Sequence, residues 1–391
     1  MADMPHADLL RSALTGVLET DVGHLKTIFN SPENADIVFR PIAAGGFSLC
    51  AVYTEGMARD DKIADFIVRA CQSFDTNAQG VAPESRAEFL LKNAVAIPQA
   101  RPEYRLGELV QQILGGMTAL VIDGCKDGLL METRGFEKRA VQRTISESVV
   151  AGSQEGFVES LRTNITLMRR YVQSPCLITE MTTVGTRVPL RIAILYMKGV
   201  TREDTLAEMR RRIKTITATV VHGLGQLEQL IEDRPFALTP QMMLTERPDR
   251  AASCVLDGQI IVLADGAPYA LVAPVTLFHL LHASDDTFMR WQYGSFLRMI
   301  RMLGILFSLI LPGAYVALTL YHPHLIPMAL LTSIAETRAQ VPFSALTEVL
   351  LMEFSFYLIN EASTRIPSQM GSVIGIVGGL ILGQAAVSAS I

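Results

Sequence analysis

The chain has 391 residues, with 34 basic and 39 acidic side chains and a formal net charge of −5 at pH 7. A charge this mild indicates no particular partner, and the basic run 209–214 lacks the aromatic residues on which single-stranded nucleic acid stacks. The five cysteines contain no CxxC pair, which argues against a disulfide framework or a metal or redox site. No nucleic-acid partner is therefore predicted.

The N-terminal region is predicted to stay in the cytoplasm. Residues 1–19 have neither a basic stretch followed by an apolar one nor any other export signal. We assign residues 1–36 to a helical N-terminal segment.

An internal duplication follows this segment. Residues 47–61 (FSLCAVYTEGMARDD) and 192–204 (IAILYMKGVTRED) share an apolar run, a glycine and a charged helix start, with Tyr53 matching Tyr196 and Gly56 matching Gly199. Each copy later has an Asp-Gly pair between two apolar runs, ALVIDG at 119–124 and IVLADG at 261–266, which is typical of a type I′ hairpin turn. We predict two similar α/β (α+β) modules, 37–150 and 170–295.

Residues 151–169 are assigned as a helical linker between the modules. The stretch 155–171 (EGFVESLRTNITLMRRY) is predicted to form one long amphipathic helix. Its Arg162, Arg169 and Arg170 are either contacts to a neighbour or part of a solvated helix face.

Enzyme signatures are absent from the sequence. It has no phosphate-binding loop, no dinucleotide fingerprint, no HExxH and no GxSxG. The pair His322 and His324, beside Pro323, is typical of an ordinary loop. We predict no catalytic residue, cofactor or metal site.

The last 90 residues differ sharply from the rest, because only six of the charged side chains lie beyond Arg301. Residues 302–321 carry no charge, and at about 1.5 Å per residue they form roughly 30 Å of helix, the thickness of a bilayer core. We predict an all-α transmembrane region over 296–391. Basic residues precede this span and none follows until Arg338, so the positive-inside rule places the large N-terminal part in the cytoplasm.

A second apolar stretch, 341–361, contains acidic residues. Glu353, Tyr357 and Asn360 share one helix face, whereas Glu348 points elsewhere and Glu361 closes the stretch. These polar groups indicate either an ion path or polar subunit contact at membrane depth, or an amphipathic helix lying at the interface. The sequence leaves both interpretations open.

The uncharged stretch 371–391 is predicted to be a further span. Gly371, Gly375, Gly379 and Gly383 form three successive GxxxG steps, a groove that permits close packing against another helix in lipid.

Several segments resemble one known family, the A subunits of GerA-type spore germinant receptors. The resemblance runs from about residue 40 to the end, and its most specific segments are TERPD at 245–249, LADGAPYALVAPV at 263–275, DDTFMRW at 285–291, VPFSALTEVLLME at 341–353, EASTRIP at 361–367 and GIVGGLILGQAAV at 375–387.

This resemblance implies a multi-pass protein of the inner (cytoplasmic) membrane of the spore or cell, with a two-part cytoplasmic domain. It implies a permease-like B subunit and a lipoprotein C subunit as partners, and a homo-oligomer that forms a germinant-gated cation channel. The chain departs from the family at 151–153, where Ala-Gly-Ser replaces the usual Arg-Gly-Pro. Family members also continue beyond the QAAV segment, so we expect a truncated form.

An alternative function is a non-gated membrane scaffold or transport accessory of the related stage-V sporulation type. The segments at 348–353 and 375–387 look closer to the receptor subunits, which favours the receptor.

Overall fold

The computed structural model describes residues 6–384 except 45, 74–81, 136–146, 148, 150, 151, 235, 238, 239, 340, 341, 365–375, 377 and 382. These residues form two compact units, which divide after Met289.

The first unit contains two five-stranded antiparallel sheets. The strands of the first sheet are β1 (Ile37–Ala44), β2 (Phe47–Thr54), β3 (Ala100–Glu103), β4 (Thr118–Ile122) and β5 (Gly128–Met131). Those of the second are β6 (Leu177–Val184), β7 (Leu190–Met197), β8 (Met243–Thr245), β9 (Ile260–Ala264) and β10 (Ala270–Ala273). The spatial orders are β1-β2-β4-β5-β3 and β6-β7-β9-β10-β8, so the two sheets have the same topology.

Helices flank both sheets. In chain order they are α1 (Ala7–Leu10), α2 (Leu18–Ile28), α3 (Asp60–Ile63), α4 (Ala70–Gln72), α5 (Arg86–Asn93), α6 (Leu106–Leu114), α7 (Leu161–Tyr171), α8 (Glu203–Thr215), α9 (Leu224–Ile231), α10 (Pro248–Leu256) and α11 (Leu277–Leu281). A π-helical turn, Ala64–Arg69, joins α3 to α4, and short 3₁₀ turns lie at Pro83–Ser85 and Ser284–Thr287.

Each sheet is covered on both faces. In the first, α2 and α6 pack on one face and α3 to α5 on the other. In the second, α7 and α10 cover one face, and α8 and α9 the other. The central strands β4 and β9 are buried along their whole length, as strands with two covered faces must be.

Capping contacts extend the equivalence of the two copies to their leading helices. Asp123 accepts a hydrogen bond from the backbone N–H of Leu18, the first residue of α2, at 3.4 Å. Asp265 accepts one from Leu161, the first residue of α7, at 3.2 Å. Because α7 corresponds to α2 in this way, we propose that each module includes its leading helix.

The predicted type of the two Asp-Gly turns needs correction. The Asp-Gly pairs do lie in hairpins, between β4 and β5 and between β9 and β10. The turns are not type I′, however, because only Gly124 and Gly266 have positive φ, at 79° each, while Asp123 and Asp265 do not. These aspartates instead cap the leading helices.

The predicted helix at 155–171 begins only at Leu161. Ser160 has extended backbone and its side chain accepts a hydrogen bond from the N–H of Thr163, which is the usual role of a helix N-cap. Residues 155–160 are therefore outside the helix.

The second unit is described as three helices with short turns. They are α12 (Trp291–Val316), which continues through a π-helical turn to Tyr321, α13 (Met328–Arg338) and α14 (Ala345–Thr364). Among the described residues, Trp291–Tyr321 is the one helix long and apolar enough to cross a membrane, and it includes the predicted span 302–321. The predicted span 371–391 lies largely outside the described residues.

Candidate functional site

Arg247 is the centre of a polar cluster in the second module. It occupies the N-cap position of α10 and its side chain is fully buried. Its guanidinium donates to the Asp249 carboxylate at 2.6 and 3.1 Å, to the Glu147 carbonyl at 3.1 Å and to the Ser153 carbonyl at 2.9 Å. A buried guanidinium needs this many acceptors, because desolvating an unpaired charge is very costly.

The equivalent position in the first module is different. Arg105 occupies the N-cap position of α6 but is exposed, and its guanidinium donates to the hydroxyl of its neighbour Tyr104 at 3.2 Å. The burial of Arg247 is therefore specific to the second copy.

Arg250 and Glu147 complete the cluster. Arg250 Nη1 donates to the Glu147 carboxylate, and its Nη2 donates to the carbonyls of His279 at 3.2 Å and His282 at 3.0 Å. Thr245 donates its hydroxyl to the same carboxylate, so Glu147 is held from two sides. We call Glu147, Thr245, Arg247, Asp249 and Arg250 the Arg247 cluster.

An aromatic ring closes the cluster. The Arg247 guanidinium carbon lies 6.0 Å from the centroid of Phe288, within the range of a cation–π contact. Gly152 lies against the same ring, since a Cβ built on it would be 2.6 Å from Phe288 Cε2.

The cluster brings together three sequence features that are far apart in the chain. They are the 245–249 segment, the pair Gly152 and Ser153, and Phe288 of the 285–291 segment. All three are visible as segments of the sequence, but nothing in the sequence brings them together, and no sequence signal marks Glu147 or Arg250. The contrast between Arg105 and Arg247 was not visible, because burial cannot be read from matching helix starts.

The arginines of α7 also have defined partners. Arg169 is fully buried and forms a two-bond ion pair with Asp36, at 2.6 and 2.8 Å, and a further bond to Asn34 at 2.8 Å. Arg162 pairs with Asp60 at 2.6 Å, and Arg170 with Glu155 at 3.3 Å. The solvated-face interpretation is wrong for Arg169, which joins the first module to the second.

A cleft of about 320 Å³ lies beside this junction and is lined by charges of both signs, including Arg162, Arg191 and Asp265. Arg191 donates to Asp265 at 2.7 Å, and this hydrogen bond lowers the pKa of the Asp265 carboxyl. The charges in the cleft thus neutralise one another in pairs.

The predicted polar residues of 341–361 all lie on α14. Glu348 is buried, with 7% of its surface exposed, whereas Glu353, Tyr357, Asn360 and Glu361 are exposed. The structure therefore separates Glu348 from the others, in line with its different helix face. The ion path itself stays a prediction.

The glycine groove is only partly described. Gly371 and Gly375 lie outside the described residues, and a Cβ on Gly379 or Gly383 would meet nothing within 4 Å. A Cβ on Gly378, by contrast, would lie 2.8 Å from Ile359 of α14. Within the described residues it is Gly378, off the predicted groove, that approaches a neighbouring helix.

Groups with catalytic or metal-binding potential are sparse. In the parts of the chain that the structure describes, no group of three or more His, Cys, Asp or Glu side chains could hold a metal ion. All five cysteines are buried free thiols. Burial raises the pKa of the Cys50, Cys71 and Cys254 thiols to about 11, so these thiols are poor nucleophiles at neutral pH.

The molecule has a duplicated α/β domain, whose second copy holds a buried polar cluster, and a long apolar helix, α12. No residue in the most apolar stretch of α12 is buried. The model of the Bacillus/Clostridium GerA spore germination protein family matches residues 23–391. The chain belongs to this family, which comprises germinant receptor subunits and is not known as an enzyme family.

Curated relatives agree with this assignment. The chain is 33% identical to spore germination protein B1 of Bacillus subtilis over 92% of the chain and 74% of the relative. It is 34% identical to spore germination protein GerLA of Bacillus cereus over 91% of the chain and 72% of the relative.

The fold also matches a solved structure. The crystal structure of the N-terminal domain of the A subunit of the Bacillus megaterium germinant receptor GerK3 aligns with a TM-score of 0.54 at 24% identity. The match covers 68% of this chain and 98% of that domain. It confirms the mixed α/β fold predicted for the N-terminal region.

Proposed function

We propose that the chain is the membrane subunit of a nutrient germinant receptor and triggers spore germination by oligomerising into a germinant-gated cation channel. A permease-like subunit that senses the nutrient and a lipoprotein subunit are its partners. The protein is multi-pass, lies in the inner membrane, and keeps its duplicated domain in the cytoplasm.

This proposal rests mainly on the lack of burial of the apolar side chains of α12. None of the residues in its most apolar stretch is buried, whereas the core helices of the first unit, such as α6, bury their apolar side chains. A helix of this length with bare apolar sides is stable in lipid and not in water. It follows directly, in the chain, a domain with the fold of a germinant receptor A-subunit domain.

The charges beside α12 support the orientation. Arg290, Arg298 and Arg301 lie at or before the start of the uncharged stretch, and no basic residue follows in 302–337. Positive charges tend to remain on the cytoplasmic side of a span, which supports a cytoplasmic position for the preceding domain.

α14 is not apolar enough to cross a membrane by itself, but its side chains favour a helix packed among other membrane helices over one that lies at the interface. Large apolar residues are exposed around most of its circumference, among them Leu350, Leu351, Phe354 and Phe356. A helix lying in the interface needs one apolar and one charged face instead. The exposed Glu353 and Tyr357 are then available to face a polar path formed with other copies, because a carboxylate at membrane depth faces water or protein.

The test uses spores of the organism that encodes the chain. Deleting its gene should abolish the response to at least one nutrient, measured as cation release and loss of refractility, and re-expression should restore it. A normal response to every nutrient tested, with slowed dipicolinate release alone, would instead support the scaffold of the stage-V type.

A further inference from the structure

We propose that Arg250 is a positioning residue that fastens residues 276–289, the pre-helix segment, to the second module. The segment contains α11 and leads directly into α12. We further propose that the germinant response requires this attachment, a part that rests on the proposed function.

The geometry of Arg250 suits this role. One arm of the guanidinium reaches Glu147 and the other reaches the carbonyls of His279 and His282, at 3.2 and 3.0 Å. These carbonyls lie at the end of α11, where backbone acceptors lack partners within the helix and a cation is favoured. Only the planar, forked guanidinium reaches acceptors on both sides at once.

Apolar packing alone holds the pre-helix segment weakly. Leu277 and Phe278 are 59% and 61% exposed. Of the described apolar residues of the segment, Leu280 is partly buried against the core of the second module, and Phe288 packs against Arg247 and Gly152. A segment with few buried apolar contacts opens locally at low cost, so its hydrogen bonds to a charged group decide whether it stays attached.

Glu147 extends the attachment to the C-terminal end of the predicted first module. Its backbone N–H donates to Glu246 at 2.6 Å and its carbonyl accepts from Arg247 at 3.1 Å. A shift of Glu147 would therefore move the carboxylate that orients Arg250. Through Arg250, such a shift reaches the residues that precede α12.

Cysteine labelling in membranes tests the attachment itself. Leu280→Cys places a thiol that is half-buried against the module, in a chain whose own five cysteines are buried. We expect Arg250→Gln to raise its labelling rate by about tenfold or more, because hydrogen bonds to a charged group are lost from the closed state. Arg211→Gln, which removes an exposed arginine of α8, should leave the rate unchanged. The same arginine variants without Leu280→Cys give the background.

Two more variants separate positioning from a simple ion pair. Arg250→Lys, which should fold even if Arg250→Gln does not accumulate, keeps the charge but cannot reach all three acceptors, so labelling should be intermediate. Exchanging the pair as Arg250→Glu with Glu147→Arg restores opposite charges but offers no donor to the two carbonyls, so labelling should stay fast. Slow labelling in the exchanged pair, or unchanged labelling in Arg250→Gln and Arg250→Lys, would overturn the attachment.

The second part of the proposal, that the germinant response requires the attachment, is tested by measuring cation release from spores that contain equal amounts of each variant. Loss of the response in Arg250→Gln, with a normal response in Arg211→Gln, supports the coupling. Fast labelling together with an undiminished response overturns it. If the unmodified chain restores no response to deletion spores, the proposed function fails, while the labelling result still decides the attachment.

Discussion

Gly152 lies directly against the ring of Phe288, with no room for a side chain between them. A Cβ on Gly152 would be 2.6 Å from Phe288 Cε2, and the glycine has φ of 134°, which side chains disfavour. The contact places Gly152 beside Arg247, whose guanidinium packs on the same ring. Position 152 therefore favours glycine on two grounds, its positive φ and the lack of space for a Cβ.

We predict that Gly152→Ala displaces Phe288 and weakens the Arg247 cluster. Because the clash depends on the ring, Phe288→Ala should remove part of the cost, so the two changes will not be additive in thermal unfolding of the purified chain. Gly199→Ala is the control, since Gly199 also has positive φ but a Cβ there meets nothing within 4 Å. It should cost only backbone strain, about 1–2 kcal/mol. Strict additivity of Gly152→Ala and Phe288→Ala would contradict the contact.

Removing one partner of the buried pair between the modules should be strongly destabilising. Asp36→Ala leaves the fully buried Arg169 without its carboxylate, which typically costs about 3–5 kcal/mol. The exposed pair Arg101–Glu108 is the control, and Glu108→Ala should cost about 1 kcal/mol or less. Denaturant unfolding followed by intrinsic fluorescence compares the two. Equal shifts would mean that Arg169 finds another acceptor or solvent.

Arg247→Gln should cost far more than the same change at the equivalent position Arg105. Arg247 donates four hydrogen bonds from a buried site, whereas Arg105 is exposed. We expect a difference of at least about 2 kcal/mol, since carbonyls and a carboxylate are left with fewer donors. The midpoints of thermal unfolding of the two variants measure it, and similar midpoints would argue against a central role for Arg247.

The two adjacent glycines near the C-terminal end should behave differently. Gly378→Leu should disturb packing within the chain, because a Cβ there already lies 2.8 Å from Ile359. Gly379→Leu meets nothing in the chain and should act only where another copy or subunit packs on the proposed groove. Crosslinking between copies in membranes is the readout. Unchanged crosslinking in Gly379→Leu would remove the groove from the proposed assembly.

The sequence predicted the duplicated architecture well because Tyr53 and Tyr196, with the glycines that follow, mark equivalent strand ends. It could not predict the Arg247 cluster, since burial of one arginine and exposure of its counterpart depend on segments about 100 residues away in the chain. The sequence could not show whether Arg169 is buried or solvated for the same reason, because its partner Asp36 precedes β1 in the other module. The prediction of a type I′ turn was wrong because Asp123 and Asp265 accept hydrogen bonds from the first residues of helices that lie far away in the sequence.

The rate of cation release after nutrient addition, compared between Glu353→Gln and Glu348→Gln spores, tests the channel proposal most directly. Glu353 is exposed on α14 and Glu348 is buried, and each change removes a charge at nearly constant volume. We predict slower release in Glu353→Gln with unchanged receptor abundance, and a different effect in Glu348→Gln, arising from packing. Equal and normal release from both variants would contradict a cation path lined by Glu353 and leave α14 as a helix at the membrane interface.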